Sequence, residues 1–164
     1  MKNIDGDPLR YQELRKTLLL LPDNVLKRLR ERKIRIVYNT DSNPVSGGKY
    51  AGYFRVDSNF IYIWDSGDKL EWQKMTLLHE VGHFIDYDVV SGDSWFSCIN
   101  KDFHHAAYNE RIYYNKKYGE SGDYYRQNIK ELFAQGFAEY FSRTSSEFEK
   151  ECPQMRAMIH DLLK

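Results

Sequence analysis

Cysteine is scarce in this sequence: Cys98 and Cys152 are the two in 164 residues. That excludes a disulfide scaffold, and with no CxxC and no neighbouring histidine both read as free thiols. Net charge is absent too, with 24 basic residues against 24 acidic ones, so the electrostatic signature of a dedicated nucleic-acid binder is missing. No apolar run approaches the ~18 residues of a membrane-spanning helix. The longest aliphatic stretch, residues 18–21, follows a charged segment and stops at Pro22, which fits neither a span nor a secretory leader. Repeats and low-complexity linkers are lacking as well. Disorder is excluded by what is present, since 41% of the residues are hydrophobic and 15% aromatic, with 13 Tyr. The length suits one compact domain, residues 1–164.

Residues 8–33 read as helix in two pieces. Leu9, Leu14, Leu18 and Leu21 recur at helical spacing, and Pro22 opens a second piece striped by Val25, Leu26 and Leu29. Residues 35–39 read as a short strand and 43–48 as a loop. Segments 50–56 and 60–64, joined by Asp57-Ser58-Asn59, read as a β-hairpin, followed by a turn at 65–68. Residues 70–87 are predicted helical, with Met75, Leu78, Val81, Gly82 and Ile85 on the buried face. Residues 91–102 read as loop, 103–118 as a Tyr-rich helix, 119–123 as a break and 128–142 as a second strongly apolar helix. Ser146 and Glu149 fit a capping box for a short last helix that breaks at Pro153. Strands early and helices late predict an α+β fold.

His79-Glu80-Val81-Gly82-His83 is an HExxH motif on the first of the strong helices. Histidines four apart lie one turn apart on one face, so both imidazoles reach one metal ion. Glu80, offset by one residue, approaches a water beside that ion without ligating it. A catalytic zinc takes three protein ligands and a water, so a third ligand is wanted. The position six after His83, where a metzincin has histidine, is Val89. The other histidines are His104, His105 and His160. Helix 128–142 offers Glu131, Gln135 and Glu139 at i, i+4 and i+8 among apolar residues, a stripe that faces either solvent or a polar site. Glu131, Glu139, His104 and Asp86 all stand as candidates on these grounds. Asp86, three residues after His83, is better suited to orienting a ligand or capping the helix.

His79-Glu-Val-Gly-His83, followed at long range by Glu131-Leu-Phe-Ala-Gln-Gly-Phe, resembles the catalytic domain of anthrax lethal factor and the Pro-Pro endopeptidases. These are gluzincins, with two histidines and one glutamate on zinc. The resemblance spans residues 50–142, and residues 1–35 carry none of it. It implies a zincin-like α+β domain with a small N-terminal sheet or hairpin and two metal-bearing helices. It also implies one zinc per chain, held by His79, His83 and Glu131, with Glu80 as general base. The family places a tyrosine seven residues before its ligand glutamate, which is Tyr124 here, as hydrogen-bond donor to the tetrahedral oxyanion. That agreement prefers Glu131 over Glu139. Gln135 departs from the pattern. Lethal factor has an acidic residue one turn after its ligand glutamate, suited to accepting from a ligand histidine, whereas Gln135 accepts only through its amide oxygen and is a weaker anchor.

The implied activity is zinc-dependent endopeptidase cleavage of a protein or peptide, with proline-containing sites a further implication. One rival is a repressor-cleaving regulatory metallopeptidase of a mobile element. Another is a non-catalytic, zinc-stabilised protein-binding module, although a structural site has no use for Glu80 as a base. The hairpin 50–64 is expected to supply the edge strand on which an extended substrate pairs, with Tyr53, Tyr62 and Trp64 either shaping the cleft or packing in the core. Tyr113, Tyr114, Tyr118 and Tyr125 either cover the cleft or pack on the domain. Lys27, Arg28, Arg30, Arg32, Lys33 and Arg35 read as a solvated helix face, interrupted by Glu31. The expected partner is a protein or peptide substrate, with no nucleic acid and no membrane span; the sequence does not specify an oligomeric state. The chain is short for a protease with a pro-segment, so it reads as a near-minimal catalytic domain behind an N-terminal helical segment, 1–33. It is expected in the cytoplasm if complete and outside the cell if a leader has been removed.

Overall fold

The computed structural model describes residues 1–39, 51–65, 69–90, 94–119, 122, 124–125, 128–143 and 145–164. They fall into two units, Met1–Val81 and Gly82–Lys164. The loop expected at 43–48, and most of the turn at 65–68, lie outside the described residues.

In the first unit, helix α1 (Pro8–Leu18) begins with proline at a position whose N–H has no helical partner, and Asp7 accepts from the Leu9 amide at 2.8 Å. Helix α2 (Asp23–Glu31) follows Pro22 and buries Val25 and Leu29. The chain leaves it through Lys33, at φ 53°. The basic residues of α2 and its exit form the expected solvated face: Lys27, Arg30, Arg32 and Lys33 are exposed, with Lys27 3.7 Å from Glu31.

Four strands make one sheet: β1 (Lys2–Asn3), β2 (Arg35–Asn39), β3 (Gly52–Arg55) and β4 (Phe60–Trp64), in the order β1-β2-β4-β3. Strands β1 and β4 run parallel to β2, and β3 runs antiparallel to β4 as an edge. The period of two sends Phe54, Ile61, Ile63, Ile36 and Tyr38 to one face, buried in the same unit as Leu14, Val25 and Leu77. On the opposite face Phe60, Tyr62 and Trp64 stack at 5.2 and 5.9 Å, and the Arg35 guanidinium lies 3.8 Å over Phe60. Tyr53 pairs across from Tyr62 and is exposed, while Trp64 is buried. Strand β1 escapes sequence reading because two residues hold no periodicity.

Helix α3 (Leu70–Asp88) continues from the first unit into the second. The second unit then runs α4 (Phe96–Ile99), α5 (Lys101–Glu110), α6 (Ile112–Tyr118), α7 (Ile129–Phe141), α8 (Ser145–Glu151) and α9 (Pro153–Leu162). The segment expected as loop at 91–102 therefore contains α4 and the start of α5. Asn100 produces that start: its side chain accepts from the Phe103 amide at 2.8 Å. The single helix expected at 103–118 is two, turning at Arg111, whose carbonyl accepts from the Tyr114 amide at 3.2 Å. The short helix expected near the end, α8, breaks before Pro153, and Pro153 takes the first position of a further helix, α9. Buried Glu110 ties that helix start down, accepting from the Gln154 and Met155 amides at 2.7 and 2.9 Å. Burial raises its carboxyl above the usual range. Phe103, Tyr114, Phe133, Phe137 and Phe148 fill the core of this unit, so Tyr113 and Tyr114 are packing residues. Cys98 and Cys152 are free thiols, exposed and buried respectively. No described helix is long and apolar enough to cross a membrane.

Candidate metal centre

Helix α3 presents His79 and His83 one turn apart, and α7 brings Glu131 to them. Each offers one ligand atom, and the three atoms lie within 4.8 Å of one another. His83 Nε2 is 3.4 Å from Glu131 Oε2, with side chains 12% and 17% exposed. Two imidazoles and a carboxylate are the donor set of a catalytic zinc that keeps a fourth position open, so these residues fit the metal the sequence implies. No other such group of histidine, cysteine and acid occurs among the described residues.

Two glycines set the local geometry. A Cβ on Gly82 would come within 2.9 Å of the Cα and carbonyl oxygen of Ala134 and 3.0 Å of Phe137 Cβ. Helices α3 and α7 thus meet backbone to backbone one residue from His83, a spacing only glycine permits. In the first unit, a Cβ on Gly52 would lie 2.5 Å from Thr76 Cγ2 and 2.9 Å from Glu80 Cγ. Edge strand β3 therefore begins directly against Glu80, whose side chain is buried.

Asp86 is not among the clustered ligand atoms, although it lies near enough to His83 to feel its charge. Its carboxylate accepts from the amide and the hydroxyl of Ser97, both at 2.6 Å, with Asp86 and Ser97 wholly buried. It pins α4 to α3. Burial pushes its carboxyl up to about 6, against the lowering effect of the Ser97 bonds.

Glu139 is not at the cluster. It is fully buried, with Lys117 Nζ donating to it at 2.7 Å and the Tyr118 hydroxyl donating to its other oxygen. Lys117 also donates to the Tyr113 hydroxyl at 2.6 Å. Gln135, expected to brace a ligand histidine, donates from Nε2 to the Tyr118 hydroxyl at 2.8 Å. The polar stripe on α7 thus serves two ends: Glu131 at the histidines, and Gln135 with Glu139 in an inner network. His104 is exposed, its ring 3.2 Å from the Cys98 carbonyl, which removes it as a candidate.

Tyr124 is 47% exposed, and its ring meets Tyr125 at 5.6 Å. Tyr125 packs on Tyr118 at 5.3 Å and on Tyr114 at 6.0 Å. Burial first, then the charges of Glu131 and Glu139, push the Tyr125 phenol up to about 12, so it stays protonated. Sequence reading missed Trp95, Ser97 and Lys117. The first two lie in a segment without periodicity, and Lys117 gives no signal on a polar helix that it would meet a buried glutamate.

Residues 11–162 match the family described as anthrax toxin lethal factor, N- and C-terminal domain. The match takes in most of α1 and all of α2, where the sequence showed no recognisable resemblance. A solved Pro-Pro endopeptidase from Paenibacillus alvei superposes with a TM-score of 0.71 at 17% identity, covering 98% of this chain and 95% of that one. The zincin-like α+β fold expected from the sequence is therefore shared with that protein. No curated protein matches the chain significantly.

Proposed function

The chain belongs to the anthrax toxin lethal factor family, and from that premise we propose that it is a zinc-dependent endopeptidase cleaving a peptide bond in a protein or peptide substrate. The observation that carries this is the set of His79, His83 and Glu131 ligand atoms within 4.8 Å of one another, with Glu80 beside His79 on the same helix. Zinc held by those three would polarise the scissile carbonyl and lower the pKa of a water molecule to about 7.

The remaining work belongs to the side chains. Glu80 takes the proton from the attacking water and delivers one to the leaving amine. Its burial shields the carboxylate from bulk water and keeps it at one place. Tyr124, half-exposed and shortly before α7 in the chain, donates a hydrogen bond from its phenolic hydroxyl to the developing oxyanion. Strand β3, an edge that begins against Glu80, pairs with an extended substrate and lays the scissile bond beside the base. Cleavage next to proline rests on the family resemblance.

The test is Glu80→Ala. The variant keeps zinc at one equivalent per chain and loses hydrolysis of a peptide library, while the parent loses it on chelation and regains it with zinc. Cleavage by Glu80→Ala, or activity indifferent to chelator, sinks the proposal.

A further inference from the structure

Trp95 stands where both ligand-bearing helices are held by ring contacts. Its ring lies 5.9 Å from that of His83, with the planes at 88°. Tyr87, one turn beyond His83 on α3, meets the indole at 5.5 Å and 61°. From α7, Lys130, the residue before Glu131, sets its ammonium 4.4 Å over the indole. One tryptophan thus touches a candidate ligand on one helix and the neighbour of a candidate ligand on the other.

The indole is itself fixed from below. The Trp95 carbonyl accepts from the Cys98 amide at 3.0 Å, which closes the first turn of α4. Two residues on, Ser97 gives both its donors to Asp86. Those two bonds are fully buried, so moving the main chain that carries Trp95 away from α3 means breaking them where no water replaces them. Rotation of His83 about its last side-chain bond sweeps Nε2 through an arc. A perpendicular ring at contact distance closes that arc, and aromatic quadrupoles favour the perpendicular arrangement. Groups that orient a metal-binding histidine are most often hydrogen-bond acceptors; here a ring does the orienting.

We propose that Trp95 is a positioning residue for the metal centre, locking the His83 imidazole plane toward the ion; this rests on the reading of His83 as a zinc ligand. The experiment is zinc titration of metal-free protein in competition with a chromogenic chelator, for the parent and for Trp95→Phe, Trp95→Leu and Trp95→Ala. Loss of the ring in the Ala and Leu variants weakens zinc binding about 10–100-fold, the usual cost of losing an orienting partner. The Phe variant keeps a ring and stays within about threefold of the parent. The Leu variant fills the volume without a ring, so it decides the matter even if the Ala variant fails to fold.

Tryptophan emission gives a second readout. The chain has three tryptophans, and the emission change on adding zinc persists in Trp72→Phe but is lost in Trp95→Phe. Parent-like zinc affinity in the Leu variant, equal losses in Phe and Leu, or a zinc-dependent emission change that survives in Trp95→Phe overturns the inference. A parent that binds no zinc removes the metal-centre reading together with it, whereas tight parent binding with unaffected variants removes this inference alone.

Discussion

Glu131 and Glu139 stand two turns apart in the same polar stripe of α7 and face different company. Glu131, 17% exposed, looks toward imidazoles, with the His83 nitrogen 3.4 Å away. Glu139 is sealed from water, and a lysine and a tyrosine from α6 hold its two oxygens. A buried carboxylate persists when its charge is answered. At Glu139 the answer is built in, as Lys117. At Glu131 the imidazole of His83 stands 3.4 Å away, a neighbour that a shared metal ion would make a co-ligand. The difference lies not in α7 but in what stands across from it: α3 at one end, α6 at the other.

The comparison breaks most sharply at the ligand. Glu131→Ala should weaken zinc by more than the ~10–100-fold cost of losing an orienting group and abolish cleavage, leaving the metal-free fold intact. Chelator competition and circular dichroism check both parts. Zinc retained there but lost in Glu139→Ala would exchange the two roles.

Glu139→Ala should instead keep one zinc per chain and cost up to about 3–5 kcal/mol of stability in urea unfolding, because Lys117 loses its buried counter-charge and keeps the more exposed Glu147 at 3.5 Å. Converting the pair together, Lys117→Met with Glu139→Leu, should recover much of that loss. A double variant as unstable as the single one would mean that packing, not charge, is at stake.

Asp86 extends the comparison to a buried carboxylate held by hydrogen bonds rather than by a lysine. Its pKa is 3.8 in ordinary surroundings and about 6 when folded. The folded state therefore holds the proton more tightly than the unfolded one. Stability from this group is greatest below pH 4 and falls as pH rises toward 6, by up to about 3 kcal/mol. In metal-free protein, Asp86→Asn should flatten that interval of the stability profile. The same downward slope in both proteins would assign it elsewhere.

The smallest effect is expected at Tyr118→Phe, which removes a donor to Glu139 and an acceptor for Gln135. About 1–3 kcal/mol of stability should go, with zinc affinity unchanged. A fall in zinc affinity would show that the inner network extends to the ligands.

His79, Glu80 and His83 were legible because helical geometry turns a spacing of four into one face. The choice of Glu131 over Glu139 was not available from the stripe, since a helix presents both alike; it came from family resemblance, and it is Glu131 that lies within 4.8 Å of the two histidines. Gln135 misled for the same reason. Its position one turn from Glu131 says where it lies on the helix, not that Tyr118 reaches it from 17 residues away. The hairpin and the helices through α3 followed from periodicity and turn residues. Helix α4 and the start of α5 escaped because what holds them, Ser97 on Asp86 and Asn100 on the Phe103 amide, is hydrogen bonding with no apolar repeat.

Gly82 has the widest reach for its size. Because the α3 and α7 backbones touch there, the main chains carrying His83 and Glu131 are held at one separation before any rotamer is chosen. A methyl group at position 82 would push against the Ala134 backbone and part the two helices. The register between the two residues thus rests on a position that offers no side chain at all.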